Sequence, residues 1–267
     1  MAANCASCAA NLDREKVLNI ALAMGKVLLI SGAETYRVEE TIVRFCRANG
    51  YNEINVFVTP TVIIIGDESS TNATMVCRIM SRSTNLSLVS EVMDFSFKLK
   101  QWNGDYESTM AYFEGMLRKP VPFGKWPAIF ASAVGAATFA VMLGGNFQDF
   151  IAALITGGVS MWLSYLIAGY RPSAFWANAL AGVAIGFLAI ACCLAIPECT
   201  RSNIIVGGLM PFLPGVAFVN GLRDYMAGDL ISGNCRIAEA MLLSTALAIG
   251  LAFALLIWYN WGWTLWY

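Results

Sequence analysis

The 267-residue sequence contains no histidine. That absence removes Ser-His-Asp and Cys-His nucleophile arrangements, together with every zinc site that uses imidazole. Charge is also scarce. Asp, Glu, Lys and Arg make up 13% of the chain, about half the roughly 25% of an ordinary soluble domain. The deficit is concentrated after residue 125, where only Asp149, Arg171, Glu198, Arg201, Arg223, Asp224, Asp229, Arg236 and Glu239 are charged. With a net charge of −1 and both parts near neutral, nothing in the sequence suggests nucleic-acid binding. The sequence has no phosphate-cradling glycine loop, no Cys/His ligand set for a metal and no nucleophile beside a base. No enzymatic activity, cofactor or metal is therefore expected. The eight cysteines lie mostly in apolar or helical patterns and read as reduced, small hydrophobes. Cys5-x-x-Cys8 reads as part of a disordered tail over 1–12 rather than a redox or metal pair. No apolar core marks the N-terminus as a signal peptide.

What the chain has in quantity is apolar sequence, 58% of residues. Five segments, 126–143, 147–168, 175–196, 202–220 and 238–259, are long enough, or nearly so, to cross about 30 Å of hydrocarbon at roughly 20 residues each. The connections are short except for the polar stretch 221–237. Arg118, Lys119 and Lys125 precede the first segment, Arg171 follows the second, and Arg223 and Arg236 follow the fourth. Five sequential crossings put all of them on one side, which the positive-inside rule makes cytoplasmic. The C-terminus then lies outside, with Trp261, Trp263 and Trp266 in the interfacial belt.

The fourth segment carries Pro211, Pro214 and Gly215 within five residues, which cannot continue a regular helix. In hydrocarbon, freed backbone groups survive only inside protein or beside a wet cavity, and transporters aim such half-helix ends at substrates. The plainer reading is a proline kink that shapes packing. Beyond it, Asn220, Arg223 and Asp224 share one helical face at i, i+3 and i+4. Asn220, Arg223, Asp224, Pro214 and Gly215 are accordingly the substrate-binding candidates, with Asn178 on the third segment added because an intramembrane amide needs a partner. Without histidine, proton coupling falls to a carboxylate, and Asp224, Asp229 and Glu239 are the candidates. The alternative is an interfacial cluster, including Arg236, that anchors helix ends. Asn178, Gly182 and Gly186 repeat every four residues, a pattern of close helix packing.

Residues 13–120 read as a water-soluble α+β domain. Helices are predicted over 13–30, 34–48, 86–102 and 106–118, and strands over 53–58, 62–66 and 74–80. Ser31 and Glu34 have the spacing of a capping box. The polar stretch Ser31 to Glu40 reads as a capped helix–helix corner with a surface ion pair. Its functional alternative is a docking or gating surface using Glu34, Arg37, Glu39 and Arg236. Pro120-Val121-Pro122 links this domain to a membrane domain over 126–267.

Gly32-Ala33-Glu34-Thr35-Tyr36-Arg37-Val38-Glu39, followed by Pro214-Gly215, Asn220, Arg223, Asp224, Gly228-Asp229, Ser232-Gly233 and Glu239, resembles the threonine/serine exporter family. The likeness runs from Asp13 to Tyr259. It implies a bacterial inner-membrane or fungal plasma-membrane protein with a cytoplasmic N-terminal domain and about ten spans when fused. Split forms divide into a larger subunit with about five spans and a small one with the rest, and this chain looks like the larger. The resemblance implies threonine and serine as substrates, succinate in some split members, and export driven by proton-motive force. It also implies a small multi-pass membrane subunit as partner, with a homo-oligomer as the fallback. The family's soluble domain has been likened to hydrolases, but no residues here support hydrolysis. The expected protein is thus an α-helical multi-pass membrane protein of about five spans, one broken by Pro/Gly, exporting small carboxylate-bearing metabolites. The rivals are a succinate-exporter subunit and, further off, a membrane-anchored hydrolase or scaffold.

Overall fold

The computed structural model describes residues 2–67, 74–98, 105–119, 123–168, 173–196 and 198–262, with side chains for those between 14 and 260 except 168. The side chains of Cys5, Cys8, Trp261, Trp263 and Trp266, the Pro120-Val121-Pro122 linker and Arg171 lie outside that set. The chain forms two compact units. One joins Met1–Val121 with Val216–Ile237, and the other joins Pro122–Gly215 with Ala238–Tyr267.

The first unit begins with α1 (Ala2–Ile30). The helix starts ahead of the expected Asp13, over the stretch read above as a tail. Ala2, Ala3, Ala6, Ala9 and Ala10 there have the highest helix propensity of any residue type. Its apolar stripe, Val17, Ile20, Ala21, Met24, Val27 and Leu28, is buried throughout. α2 (Thr35–Ala48) packs Val38, Ile42 and Phe45 into the same core. Gly25 on α1 allows close contact, because a Cβ there would lie 2.7 Å from Ile42 Cδ1. Strands β1 (Ile54–Thr59), β2 (Val62–Asp67) and β3 (Thr74–Arg78) form an antiparallel meander in that order. Ile63 and Ile65 alternate inward, so one face of the sheet lies on the helices. α3 (Leu86–Lys98) and α4 (Tyr106–Arg118) close the core with Val92, Phe113 and Met116.

The first unit also takes in residues 216–237. The stretch 221–237, expected as a polar loop, is mostly helical. α9 (Gly215–Ala227) ends in a turn at Gly228, whose φ of 93° favours glycine. α10 (Leu230–Gly262) then starts eight residues before the expected 238. Gly233 sits at a helix crossing. A Cβ there would come within 2.8 Å of the Tyr225 ring and 3.0 Å of Gly221 O.

The second unit contains α5 (Lys125–Met142), α6 (Phe147–Ala168), α7 (Ala174–Ala195), α8 (Arg201–Leu209) and the later part of α10. Four helices, Lys125–Met142, Phe147–Ile167, Ala174–Ala195 and Leu230–Asn260, are long and apolar enough to cross a membrane. A fifth crossing is available if the bent pair Arg201–Phe212 and Gly215–Ala227 counts as one span. The expected single helix over 202–220 is therefore two helices. α8 tightens into a 3₁₀ turn at Met210–Phe212, and the chain breaks at Leu213-Pro214 because Pro211 and Pro214 donate no backbone hydrogen bond.

Small residues let these helices pack closely. A Cβ at Gly157 on α6 would stand 2.4 Å from Ala136 Cβ on α5, and one at Gly207 on α8 would stand 2.5 Å from Ala136 O. The Gly182 and Gly186 repeat on α7 faces Leu247 and Ala254 of α10, as its spacing implies. Asp149, absent from the expected site, ties two connections together. It caps α6 reciprocally with Asn146, then accepts hydrogen bonds from Thr200 N at 2.6 Å and Asn203 Nδ2 at 3.1 Å. Fully buried among donors, it satisfies the N-terminus of α8.

Candidate functional site

The corner between α1 and α2 builds the site from backbone atoms. α1 ends in a tight cap: Ser31 N, Gly32 N and Ala33 N donate to Val27 O, Leu29 O and Leu28 O. Gly32 has φ 89°, a left-handed conformation that favours glycine. The corner thereby presents the carbonyls of Gly32 and Ala33 at the negative end of one helix dipole. The free N–H groups of α2 lie at the positive end of the next.

Residues 220–236 supply matching groups. Asn220 Nδ2 donates to Gly32 O at 3.0 Å, and Arg236 Nη2 donates to Ala33 O at 2.7 Å. Asp224 Oδ1 accepts from Thr35 N at 3.1 Å, placing a carboxylate on the N-terminus of α2. Asp224 Oδ2 lies 3.0 Å from Arg236 Nε, pairing the two charges by proximity. Both are buried, Asp224 completely. The i, i+4 spacing of Asn220 and Asp224 on α9 is what lets one helix face reach both ends of the corner.

Glu34 and Arg223 form the outer part of the cluster. Arg223 Nη1 donates to Glu34 Oε1 at 2.7 Å, and Arg37 Nε lies 3.2 Å from Glu34 Oε2. The Glu34 side chain is 8% exposed, whereas that of Arg223 is 54% exposed. One side of this ion pair is thus buried and the other open. The expected capping box does not form. Glu34 is itself the N-cap residue of α2 and makes no side-chain cap bond, because two guanidiniums hold its carboxylate more strongly than a neutral N–H would. Burial pushes the Glu34 carboxyl up, but its own backbone N–H, Arg223 and Arg37 outweigh that and leave it below the usual range.

Among the described residues of the cluster, Glu39 and Asp229 are the acids that form no ion pair with a guanidinium. Glu39 Oε1 accepts from Val58 N at 2.9 Å, and Ser232 Oγ donates to Val58 O at 3.3 Å, so the end of β1 joins α2 to α10. Burial raises the Glu39 carboxyl; the Val58 N–H opposes this, while the charges of Asp229 and Asp224 add to it. Asp229 is raised by burial and then by Asp224. For a raised acid, folding favours the protonated form. The stability so gained is present at low pH and is lost as pH climbs from the ordinary glutamate value of 4.5 through the raised one. Glu39→Gln keeps the Oε1 acceptor and removes the charge. Its melting curve should meet that of wild type at acid pH and exceed it by about 2–4 °C at neutral pH, the shift that ~1 kcal/mol gives a domain of this size. A variant that melts lower at neutral pH would refute the repulsion.

Seven of the residues singled out from sequence therefore meet in one unit: Asn220, Arg223, Asp224, Glu34, Arg37, Glu39 and Arg236. Asp229 adjoins them. Pro214 and Gly215 stand at the chain break, and nothing lies within 4 Å of a Cβ built at Gly215. Asn178 belongs to the α7–α10 contact, where its amide donates to Leu243 O at 3.4 Å. Glu239 lies on α10, half-buried, just past the segment that joins the first unit. Sequence reasoning missed the backbone partners, Gly32 O, Ala33 O and Thr35 N, which carry no residue-type signal. Ser232 is visible in sequence only as part of the Ser232-Gly233 motif. Among the described residues no group of three or more Cys, Asp or Glu side chains could hold a metal ion.

Comparison with known proteins bears on this cluster. The sequence model of the threonine/serine exporter family, ThrE, matches residues 19–258. A Mycobacterium tuberculosis protein named "Probable threonine/serine exporter" is 23% identical over 92% of this chain and 47% of its own length. The "Threonine/serine exporter" of Corynebacterium glutamicum is 24% identical over 90% of this chain and 50% of its own length. This chain thus spans about half the length of those relatives. The "Probable succinate transporter subunit YjjP" of Klebsiella aerogenes is 22% identical over 94% of this chain and 97% of its own length. No solved structure matches the chain. With a match that begins in α1 and extends into α10, taking in both halves of the polar cluster, the chain is a member of the threonine/serine exporter family.

Proposed function

We propose that the chain is the larger component of a split carrier that exports small carboxylate-bearing metabolites such as threonine and serine. The observation that carries this reading is the asymmetric Glu34–Arg223 pair. Arg223 offers an open, always-charged guanidinium, and a buried carboxylate of the protein occupies it. A substrate carboxylate has the same chemistry as Glu34 and can exchange with it on Arg223 by a bidentate contact. Asn220, Asp224 and Arg236 hold the corner, while Glu39 and Asp229 accept the proton that couples the cycle. Three guanidiniums and four carboxylates in the cluster leave one acid in excess, which suits a site that carries a proton. The Leu213-Pro214 break gives α9 freedom to move with the first unit during alternating access.

A short multi-pass membrane subunit completes the pathway in this proposal, as the half-length coverage of the fused relatives suggests. The first unit faces the cytoplasm and the α7–α8 connection faces outward. The end-to-end coverage of the YjjP relative favours succinate as a second substrate to test. Proteoliposomes holding this chain with its candidate small subunit should export labelled threonine, serine or succinate when a pH gradient is imposed. Absence of flux for all three, with or without the small subunit, would overturn the carrier reading. Orientation has its own test in intact cells. An impermeant maleimide at alkaline pH should label Cys199, whose thiol is raised chiefly by burial, and should reach the exposed Cys235 only after permeabilisation. The reverse order would invert the topology.

A further inference from the structure

The N-terminal domain contains a cavity of about 180 Å³ that the polar cluster does not use. Asn19, Leu22 and Lys26 of α1 line it together with Phe113 and Glu114 of α4 and Cys77 of β3. Spacings of three and seven put the α1 residues on one helical face. Asn19 and Lys26 are half-buried. Among the described residues, neither side chain has a hydrogen-bond or ion-pair partner. An ammonium and an amide that line an apolar cavity with their donors unengaged can receive an anionic group there. Glu114 adds a carboxylate to the lining from α4, and its ion pair with Arg118 is long, at 4.0 Å, and exposed. The volume lies below the roughly 300–1,000 Å³ of drug-sized sites, which restricts the occupant to a small metabolite.

We propose that this cavity binds a short α-amino acid with an apolar or weakly polar side chain. The ligand carboxylate meets Lys26 and Asn19, its ammonium meets Glu114, and its side chain rests on Leu22 and Phe113. A plain carboxylate would leave Glu114 unanswered, and a dicarboxylate would set a second negative charge against it. The site does not depend on the transport reading, since none of its residues belongs to the Arg223 cluster.

Cys77 provides the reporter. Its thiol is half-buried and lines the cavity, Cys235 is exposed elsewhere, and Cys46 is buried with its thiol pushed up to about 12 by burial and then by the Asp67 charge. The full chain in detergent is treated with N-ethylmaleimide, and alkylation at each cysteine is followed by peptide mass spectrometry. L-valine and L-threonine at millimolar concentration should slow labelling of Cys77 severalfold without slowing Cys235, and butyrate should protect poorly. Lys26→Met and Glu114→Gln should each abolish protection, whereas Lys26→Arg should retain it. Continued inertness of Cys46 verifies that each variant is folded. Three results would overturn the proposal: no protection by either amino acid, equal slowing of Cys77 and Cys235, or protection by butyrate that matches valine and survives Glu114→Gln.

Discussion

Asp224→Leu should destabilise the first unit more than any other single change in the polar cluster. It takes the Asp224 carboxylate away from the Arg236 guanidinium, 7% exposed, and removes the acceptor of Thr35 N. Breaking a buried ion pair from one side costs about 3–5 kcal/mol, a large part of the ~5–15 kcal/mol that stabilises a typical domain. The double variant Asp224→Leu/Arg236→Met replaces both charges with apolar groups and should recover part of the loss. Recovery stays incomplete because Thr35 N and Ala33 O have lost their partners, and each buried orphan costs about 1–3 kcal/mol. The measurement is a double-mutant cycle in melting temperature on purified protein. A double variant less stable than Asp224→Leu, or a single variant as stable as wild type, would show that the pair is not the buried contact described.

The second large effect is expected in the membrane helices. Gly250→Ala adds one methyl group, yet its Cβ would fall 1.8 Å from Ala179 O, at least 1.2 Å inside the 3.0 Å that real Cβ contacts keep. The obstacle is backbone, so no rotamer change relieves it. α7 and α10 must separate, with loss of the Asn178–Leu243 hydrogen bond and of the close approach at Gly182. Overpacking of this kind typically costs about 1–3 kcal/mol. Gly135→Ala is the matched control: it is the same chemical change on α5, where nothing lies within 4 Å of the new carbon. It should be neutral or slightly stabilising, since alanine is the better helix former. Equal melting temperatures for the two variants would contradict the tight α7–α10 crossing.

Much of the fold was legible in the sequence because its signals are local. An apolar run of twenty residues has few other interpretations. The β-branched run Val62–Ile65 marks a strand, and Pro211 with Pro214 forces a break wherever it falls. The association of residues 216–237 with the N-terminal domain was not legible. It depends on Gly32 O, Ala33 O and Thr35 N, backbone atoms nearly 190 positions or more from Asn220, Arg236 and Asp224. Every residue has such atoms, so composition cannot advertise them. One local signal also pointed the wrong way: Glu34 suggested a capping box although its carboxylate is drawn to Arg223 and Arg37. Residue chemistry did mark most of the cluster, since charged and amide side chains are rare in an apolar chain. Which of them would meet was a question of tertiary structure.

Exchange of partners on Arg223 is best examined through the apparent KM for exported substrate in two variants, Glu34→Gln and Arg223→Gln, reconstituted in proteoliposomes. Glu34→Gln removes the competing carboxylate while leaving Arg223 in place, so KM should fall. Arg223→Gln removes the cation that receives the substrate, so KM should rise steeply or flux should vanish. Opposite shifts support the exchange; a fall or a rise in both, or wild-type values in both, would contradict it.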